Sequence, residues 1–304
     1  MIAAREAVLE LSRALGGGVK AELAASALIE AEVLGQPRFG IAMLDEWTKP
    51  AQRLPDIVDC KVVSWHDCSD CFSPVAVASA THDLSQLARK FGIAAVFLRG
   101  VKGFGRLAPF VRHLADAGLV GMMSAEGPPF VAPHGGNQPV IGTNPFAIAL
   151  GQGADGVVID IATSTATMAE IRKASTEGAQ LAGGIAVDAA GKPTLEASQV
   201  AALLPRGGQI GSLVGLTVEL LSGIVAGGRN DPQGRGVFIL AIDPAAAAEQ
   251  TDWEDKLVQL QKDWSASGGH WPRGGGLPPE AVLDQDFERR LRAHLSRMSS
   301  QGEC

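Results

Sequence analysis

The chain has 304 residues, 46% of them hydrophobic and 19% charged, enough for one large core or two modest ones. Its net charge of −7 argues against nucleic acid as a main partner, because a phosphate backbone asks for a basic face. No uninterrupted apolar run reaches the ~20 residues that span a bilayer, so no membrane partner is expected. Four cysteines and a start that reads as a charged amphipathic helix, not a signal peptide, point to reduced thiols in a cytoplasm.

Residues 4 to 34 read as two helices. Ala7, Leu9, Leu11 and Leu15 give the apolar face of the first, the glycines at 16 to 18 stop it, and 21 to 34 is an alanine-rich second helix. Gly35-Gln36-Pro37-Arg38-Phe39-Gly40 follows, then a helix through about residue 51. Residues 62 to 65 predict a short strand. After it, His66, Cys68 and Cys71, with Cys60 upstream, are expected on a loop. That spacing can hold zinc or cycle between dithiol and disulfide. With no second cysteine pair, a polar loop without a ligand is the favoured reading, and no metal is expected.

A helix over 73 to 91 turns Ala76, Ala80, Leu84, Leu87 and Ala88 inward, and 92 to 98 is a buried strand. The loop Arg99 to Arg106 opens a helix to about residue 117. Its Arg99, Lys102 and Arg106 could meet a phosphate or carboxylate, and a solvated loop is the plain alternative. Gly100-x-x-Gly103-x-Gly105 has the wrong spacing for a Rossmann fingerprint and no suitably placed acid. Residues 119 to 124 form another strand.

The central stretch is the most informative. Two apolar runs, Pro145 to Leu150 and Val157 to Ile161, flank a glycine-rich turn, the pattern of two strands joined by a loop. Gly142-Thr143-Asn144-Pro145 enters the first strand. Asp160, Thr163 and Ser164 close the second and lead to a helix at about 165 to 174. Hydroxyls, free N–H groups and a carboxylate thus gather at element ends, where anionic or sugar-phosphate ligands are held. The same groups also serve as strand and helix caps. Helices at about 251 to 264 and 285 to 298 close the chain. Trp253, Trp264 and Trp271 read as packing residues and His134 as a loop residue.

Pro133-His134-Gly135-Gly136, Gly142-Thr143-Asn144-Pro145 and Asp160-Ile161-Ala162-Thr163-Ser164, in that order, resemble the core of the malate/L-lactate dehydrogenase family that lacks a Rossmann fold. Residues 183 to 194, with Asp188, Gly191, Lys192, Pro193 and Thr194, and the late strand 238 to 244 extend the resemblance. It implies an α/β fold: a non-Rossmann mixed sheet with a helical region from both chain ends. Residues 1–55 with 245–304 would form a helical substrate and dimer region, and 56–244 an NAD(P)-binding region. A homodimer, NAD or NADP as cofactor, and a small carboxylate substrate are further implications.

By the same resemblance, Gly142, Thr143, Asn144, Pro145, Asp160, Thr163, Ser164, Phe104 and Gly105 form the cofactor pocket. Arg38 and Thr143 hold the substrate, and Asp160 and Lys102 are the candidates for proton transfer. The family's Ser-His pair and carboxylate-binding Arg would align with Arg38, Phe39 and Met43. Gly103 stands for a second His, and Ile210 for a Lys. Phe39 cannot transfer a proton, and Met43 cannot form a bidentate ion pair. The first expectation is therefore an NAD(P)H-dependent oxidoreductase acting on a 2-keto, 2-hydroxy or cyclic 2-imino acid. The second is a catalytically silent nucleotide-binding or assembly subunit, and the third is separate chemistry at the His66/Cys68/Cys71 loop. Charged groups converging on the pocket favour the first; Phe39, Met43 and Ile210 filling it favour the second.

Overall fold

The computed structural model describes residues 1–46, 61–153, 155–247, 252–273 and 276–301. In chain order come β1 (Ile2–Ala3), α1 (Ala4–Ala14), α2 (Gly18–Val33), β2 (Val63–Asp67), α3 (Ser73–Phe91), β3 (Ile93–Val101), α4 (Ala108–Asp116) and β4 (Val120–Ala125). They are followed by β5 (Phe146–Leu150), β6 (Val157–Ile161), α5 (Met168–Glu177), β7 (Ala186–Val187), β8 (Pro193–Thr194) and β9 (Ala202–Leu203). The chain closes with α6 (Gln209–Val218), extended by a π turn over Glu219–Val225, then β10 (Arg235–Ile242), α7 (Trp253–Ala266), β11 (Val282–Leu283) and α8 (Gln285–Gln301).

A six-stranded sheet in the order β2-β3-β10-β4-β5-β6 forms the centre. β2 runs parallel to β3 and the other neighbours are antiparallel, so the sheet is mixed, as expected. Helices α2, α3 and α4 cover one face. The inward residues of α3, Ala76, Ala80, Leu84, Leu87 and Ala88, are all buried in the main core with Phe110 of α4 and Leu28 of α2. The π turn after α6 lies on the other side, directly on β10. A Cβ on Gly236 would sit 1.6 Å from the Ser222 carbonyl, so only glycine permits this approach. A smaller sheet, β8-β7-β9, packs its own cluster of Val131, Ile141, Ile171, Ala186 and Leu203 beside the main body.

The chain ends interlock. β1 pairs with β11, Arg292 of α8 reaches Glu10 of α1, and Arg290 reaches Glu32 of α2 at 3.1 Å. Several local expectations shift. Leu9 is exposed, because α1 buries the stripe of Ala4, Ala7, Val8, Leu11 and Ser12. His66 stands on β2, not on a loop, since the parallel pairing with β3 continues to Asp67. The helix expected through residue 51 is a 3-10 segment over Ile41–Glu46, and its remainder, like Cys60, lies outside the described residues.

Candidate active site

The β5–β6 hairpin carries Asp160 on β6, facing the start of α4. The Asp160 Oδ2 atom accepts a hydrogen bond from the Ala108 amide at 2.9 Å. A carboxylate here offsets the unpaired N–H groups and positive end of α4. Arg106, on the loop from β3, lies 3.9 Å from Asp160 and 3.0 Å from Glu30 of α2. Arg112 of α4 also pairs with Glu30, whose 2% exposure puts it deep in the core. Two acids and two arginines therefore neutralise one another in this wall.

Burial pushes the Asp160 carboxyl above its usual range, against the pull of the Ala108 amide and Arg106. Burial raises Glu30 as well, with Arg112 and Arg106 opposing. Asp160 thus keeps a proton to higher pH than an ordinary aspartate does, a property that suits a general acid.

A cleft of about 580 Å³ opens in front of this wall. Asp160, Arg106, Thr143 and Pro145 line it from the sheet side, Phe39 and Met43 from the segment after α2, and Met168 and Arg172 from α5. A second hollow of about 530 Å³ continues past Arg38, Phe39 and Arg172 to Lys173 and Thr176. Arg38 and Arg172 border both hollows and have no side-chain partner among the described residues. Since Arg106 and Arg112 are already balanced, these two arginines leave the cleft with an excess of positive charge.

The remaining candidates divide cleanly. Gly105 lines the cleft at φ +96°, a backbone conformation that glycine tolerates. Gly142 stands behind the wall, where a Cβ would lie 2.5 Å from Gly127. Asn144 is fully buried and spends its amide on protein groups. Its Oδ1 accepts from the Gly127 N–H at 3.2 Å, and its Nδ2 donates to the Gly215 carbonyl at 3.0 Å and to Glu219 at 2.9 Å. The Thr163 hydroxyl donates to the Thr143 carbonyl and the Ser164 hydroxyl to the Ala166 carbonyl. Phe104 is in the core, edge-on to Phe110. The side chains of Asn144, Thr163, Ser164 and Phe104 thus support the cleft from behind and do not face it.

Lys102 is exposed and absent from the cleft lining; its backbone N–H donates to the Ser73 hydroxyl at 2.9 Å. Its exposed side chain lies outside the cleft, apart from the proton-transfer role expected of it. Arg99 pairs with Asp67 and Asp231, also outside the cleft. No group of three or more metal-binding side chains occurs among the described residues. Phe39 and Met43 do occupy the cleft wall, whereas Ile210 is 75% exposed and far from filling it.

Sequence reasoning missed Glu30 and Arg172. Glu30 carried a signal: an acid inside the apolar run Ala27-Leu28-Ile29-Glu30-Ala31 of a buried helix asks for a buried cation. Arg172 carried none, because an arginine on an exposed helical face is usually only solvated.

A profile of the malate/L-lactate dehydrogenase family matches residues 11–273. The chain belongs to this family. Over 209 residues, this dehydrogenase-family chain is 34% identical to a Delta(1)-pyrroline-2-carboxylate/Delta(1)-piperideine-2-carboxylate reductase of Pseudomonas syringae pv. tomato, covering 67% of the chain and 59% of that reductase. It is 32% identical over 248 residues to a (2R)-3-sulfolactate dehydrogenase (NADP(+)) of Chromohalobacter salexigens, covering 74% of each. The crystal structure of delta1-piperideine-2-carboxylate reductase from Pseudomonas syringae pv. tomato superposes with a TM-score of 0.80 at 27% identity, over 96% of this chain and 99% of that one. The sequence matches thus span under two thirds of the first reductases, at 59% and 58% of their lengths.

Proposed function

We propose that this dehydrogenase-family chain is an NAD(P)H-dependent reductase of small 2-oxo or cyclic 2-imino acids. The observation that carries the reading is Asp160: a mostly buried carboxyl, 13% exposed on its side chain, raised by burial, at the wall of a cleft whose uncompensated charge is positive. The names of the relatives, imino-acid reductases and a sulfolactate dehydrogenase, agree in substrate class, a small acid beside a reducible carbon.

The residues present fit a nicotinamide cofactor. The two hollows adjoin, and each falls in the size range of ligand clefts. Gly103 and Gly105 let a flat ring approach the backbone, while Phe39, Leu107 and Phe130 give it apolar walls. Lys173 would hold the phosphate end, beside Thr176. When bound, the reduced cofactor supplies hydride to the C=N or C=O carbon. Arg38, together with Arg172, would hold the substrate carboxylate at the junction of the two hollows. Asp160 would give its proton to the nitrogen or oxygen of the reduced bond, and Arg106 would stabilise the carboxylate left behind.

Phe39 and Met43 in the cleft wall favour a second reading, a nucleotide-binding relative without turnover. Steady-state oxidation of NADPH and NADH with Δ1-pyrroline-2-carboxylate, Δ1-piperideine-2-carboxylate, pyruvate and sulfopyruvate separates the two. Turnover with one of these acids supports the reductase. Cofactor binding with no turnover on the whole panel favours the silent relative.

A homodimer is part of the proposal. The outer face of α6 and its π turn exposes Ile210, Leu213, Leu216, Leu220 and Ile224, a stripe at helical spacing that a second copy would cover.

A further inference from the structure

Cys68 and Cys71 follow the end of β2, on the turn that leads into α3. The Cys71 amide donates to the Cys68 carbonyl at 2.9 Å, an i to i+3 turn that keeps the two Cα atoms within about 7 Å. That is the separation a disulfide can bridge. Both thiols are free in this structure. The pair is asymmetric. Cys68 is fully buried, whereas Cys71 is partly exposed and two residues before the first turn of the 19-residue helix α3.

We propose that Cys68 and Cys71 form a reversible dithiol site oxidised by hydrogen peroxide, with Cys71 as the attacking sulfur and Cys68 as the resolving one. The neighbouring Cys68 thiol holds the Cys71 thiol below its usual range, against burial and the charges of Asp70 and Asp67, and the same interaction together with burial holds Cys68 above it. The Cys71 thiolate attacks the peroxide; with one proton taken up, a sulfenic acid forms and water leaves. The Cys68 thiol then attacks the sulfenic sulfur, the S–S bond forms and a second water leaves. Two electrons pass from the thiols to the peroxide. Cys68 needs no access to solvent, because the sulfur it resolves lies three residues away on the same turn.

The site is linked to the cleft through the backbone. Ser73, two residues on, accepts the Lys102 amide at 2.9 Å, and Gly103, next along, lines the cleft opposite Met43. Gly100 lies so close to this turn that a Cβ there would meet the Ser69 hydroxyl at 2.2 Å.

The test uses the full chain, reduced and then exposed in its native state to hydrogen peroxide. It is then unfolded, alkylated with N-ethylmaleimide and digested with trypsin. Lys61 and Arg89 bound one peptide that holds both cysteines and excludes Cys60 and Cys304. We expect that peptide unlabelled and lighter by two hydrogens, with full labelling restored by dithiothreitol. Before oxidation, native alkylation should mark Cys71 at least about tenfold faster than Cys68. In Cys68→Ser, dimedone should capture a sulfenic acid on Cys71. Double labelling of the peptide after peroxide, or sulfinic acid on Cys71 in place of the disulfide, would overturn the proposal. The wild-type peptide decides it even if the variant does not fold.

Discussion

Asp160 accepts the Ala108 amide at 2.9 Å, so a carboxylate of the central hairpin also caps the helix that carries Arg112. The contact joins fold and proposed chemistry in one residue. The hairpin positions the acid, the helix end orients it, and burial beside Glu30 and Arg106 sets its proton affinity.

Asp160→Asn tests that junction. The amide oxygen can still accept from Ala108, so the helix keeps its cap. Proton donation is lost, and kcat should fall by a factor of about a hundred or more. The pH dependence has a definite sign. The folded-state pKa of Asp160 is raised above 3.8, so its contribution to stability is full below that value and is lost as pH rises through the folded pKa. The variant, which cannot ionise, should gain melting temperature relative to the wild type as pH rises from about 4 to neutral. A Tm difference that stays flat with pH would show that Asp160 ionises normally in the folded chain.

Arg172→Ala removes one of the two unpaired cations at the junction of the hollows. A lost charge-assisted hydrogen bond is worth ~1.5–3 kcal/mol, so KM for the acid should rise at least about tenfold while kcat changes little. Arg38→Ala should behave alike. Unchanged KM in both variants would mean that the carboxylate is held elsewhere.

Asn144→Ala separates support from contact. The change strands the Gly127 N–H and removes a donor to Glu219 in the interior. Each buried group left without a partner costs ~1–3 kcal/mol, so thermal or urea unfolding should show a loss of several kcal/mol. A variant of normal stability with weakened cofactor binding would restore Asn144 to the ligand contacts.

Much of this was readable in the chain. The helix over 73 to 91 and the strand 157 to 161 fall where the apolar spacing places them, because long periodic runs allow one packing. α5 starts at Met168, not 165, because the Thr167–Glu170 capping box fixes its first turn. The direction of short polar side chains was not readable. Thr143, Asn144, Thr163 and Ser164 offer the same hydrogen-bonding groups whether they face a ligand or a neighbouring strand. Only the tertiary fold, which brings Gly127, Gly215 and Glu219 to Asn144, decides between them.

The apolar stripe on α6 predicts association. Leu213→Glu with Ile224→Glu should convert a dimer to a monomer by light scattering, since both side chains are exposed in the single chain and their loss leaves its core intact. A wild-type chain that is monomeric at micromolar concentration would contradict the dimer.

The central claim is that the cleft in front of Asp160 takes a reduced nicotinamide cofactor. Calorimetric titration of the purified chain with NADPH and NADH tests it most directly. The account predicts saturable binding of at least one of them, one per chain, weakened about tenfold by Lys173→Ala. Absence of binding by both cofactors to a folded chain would contradict it.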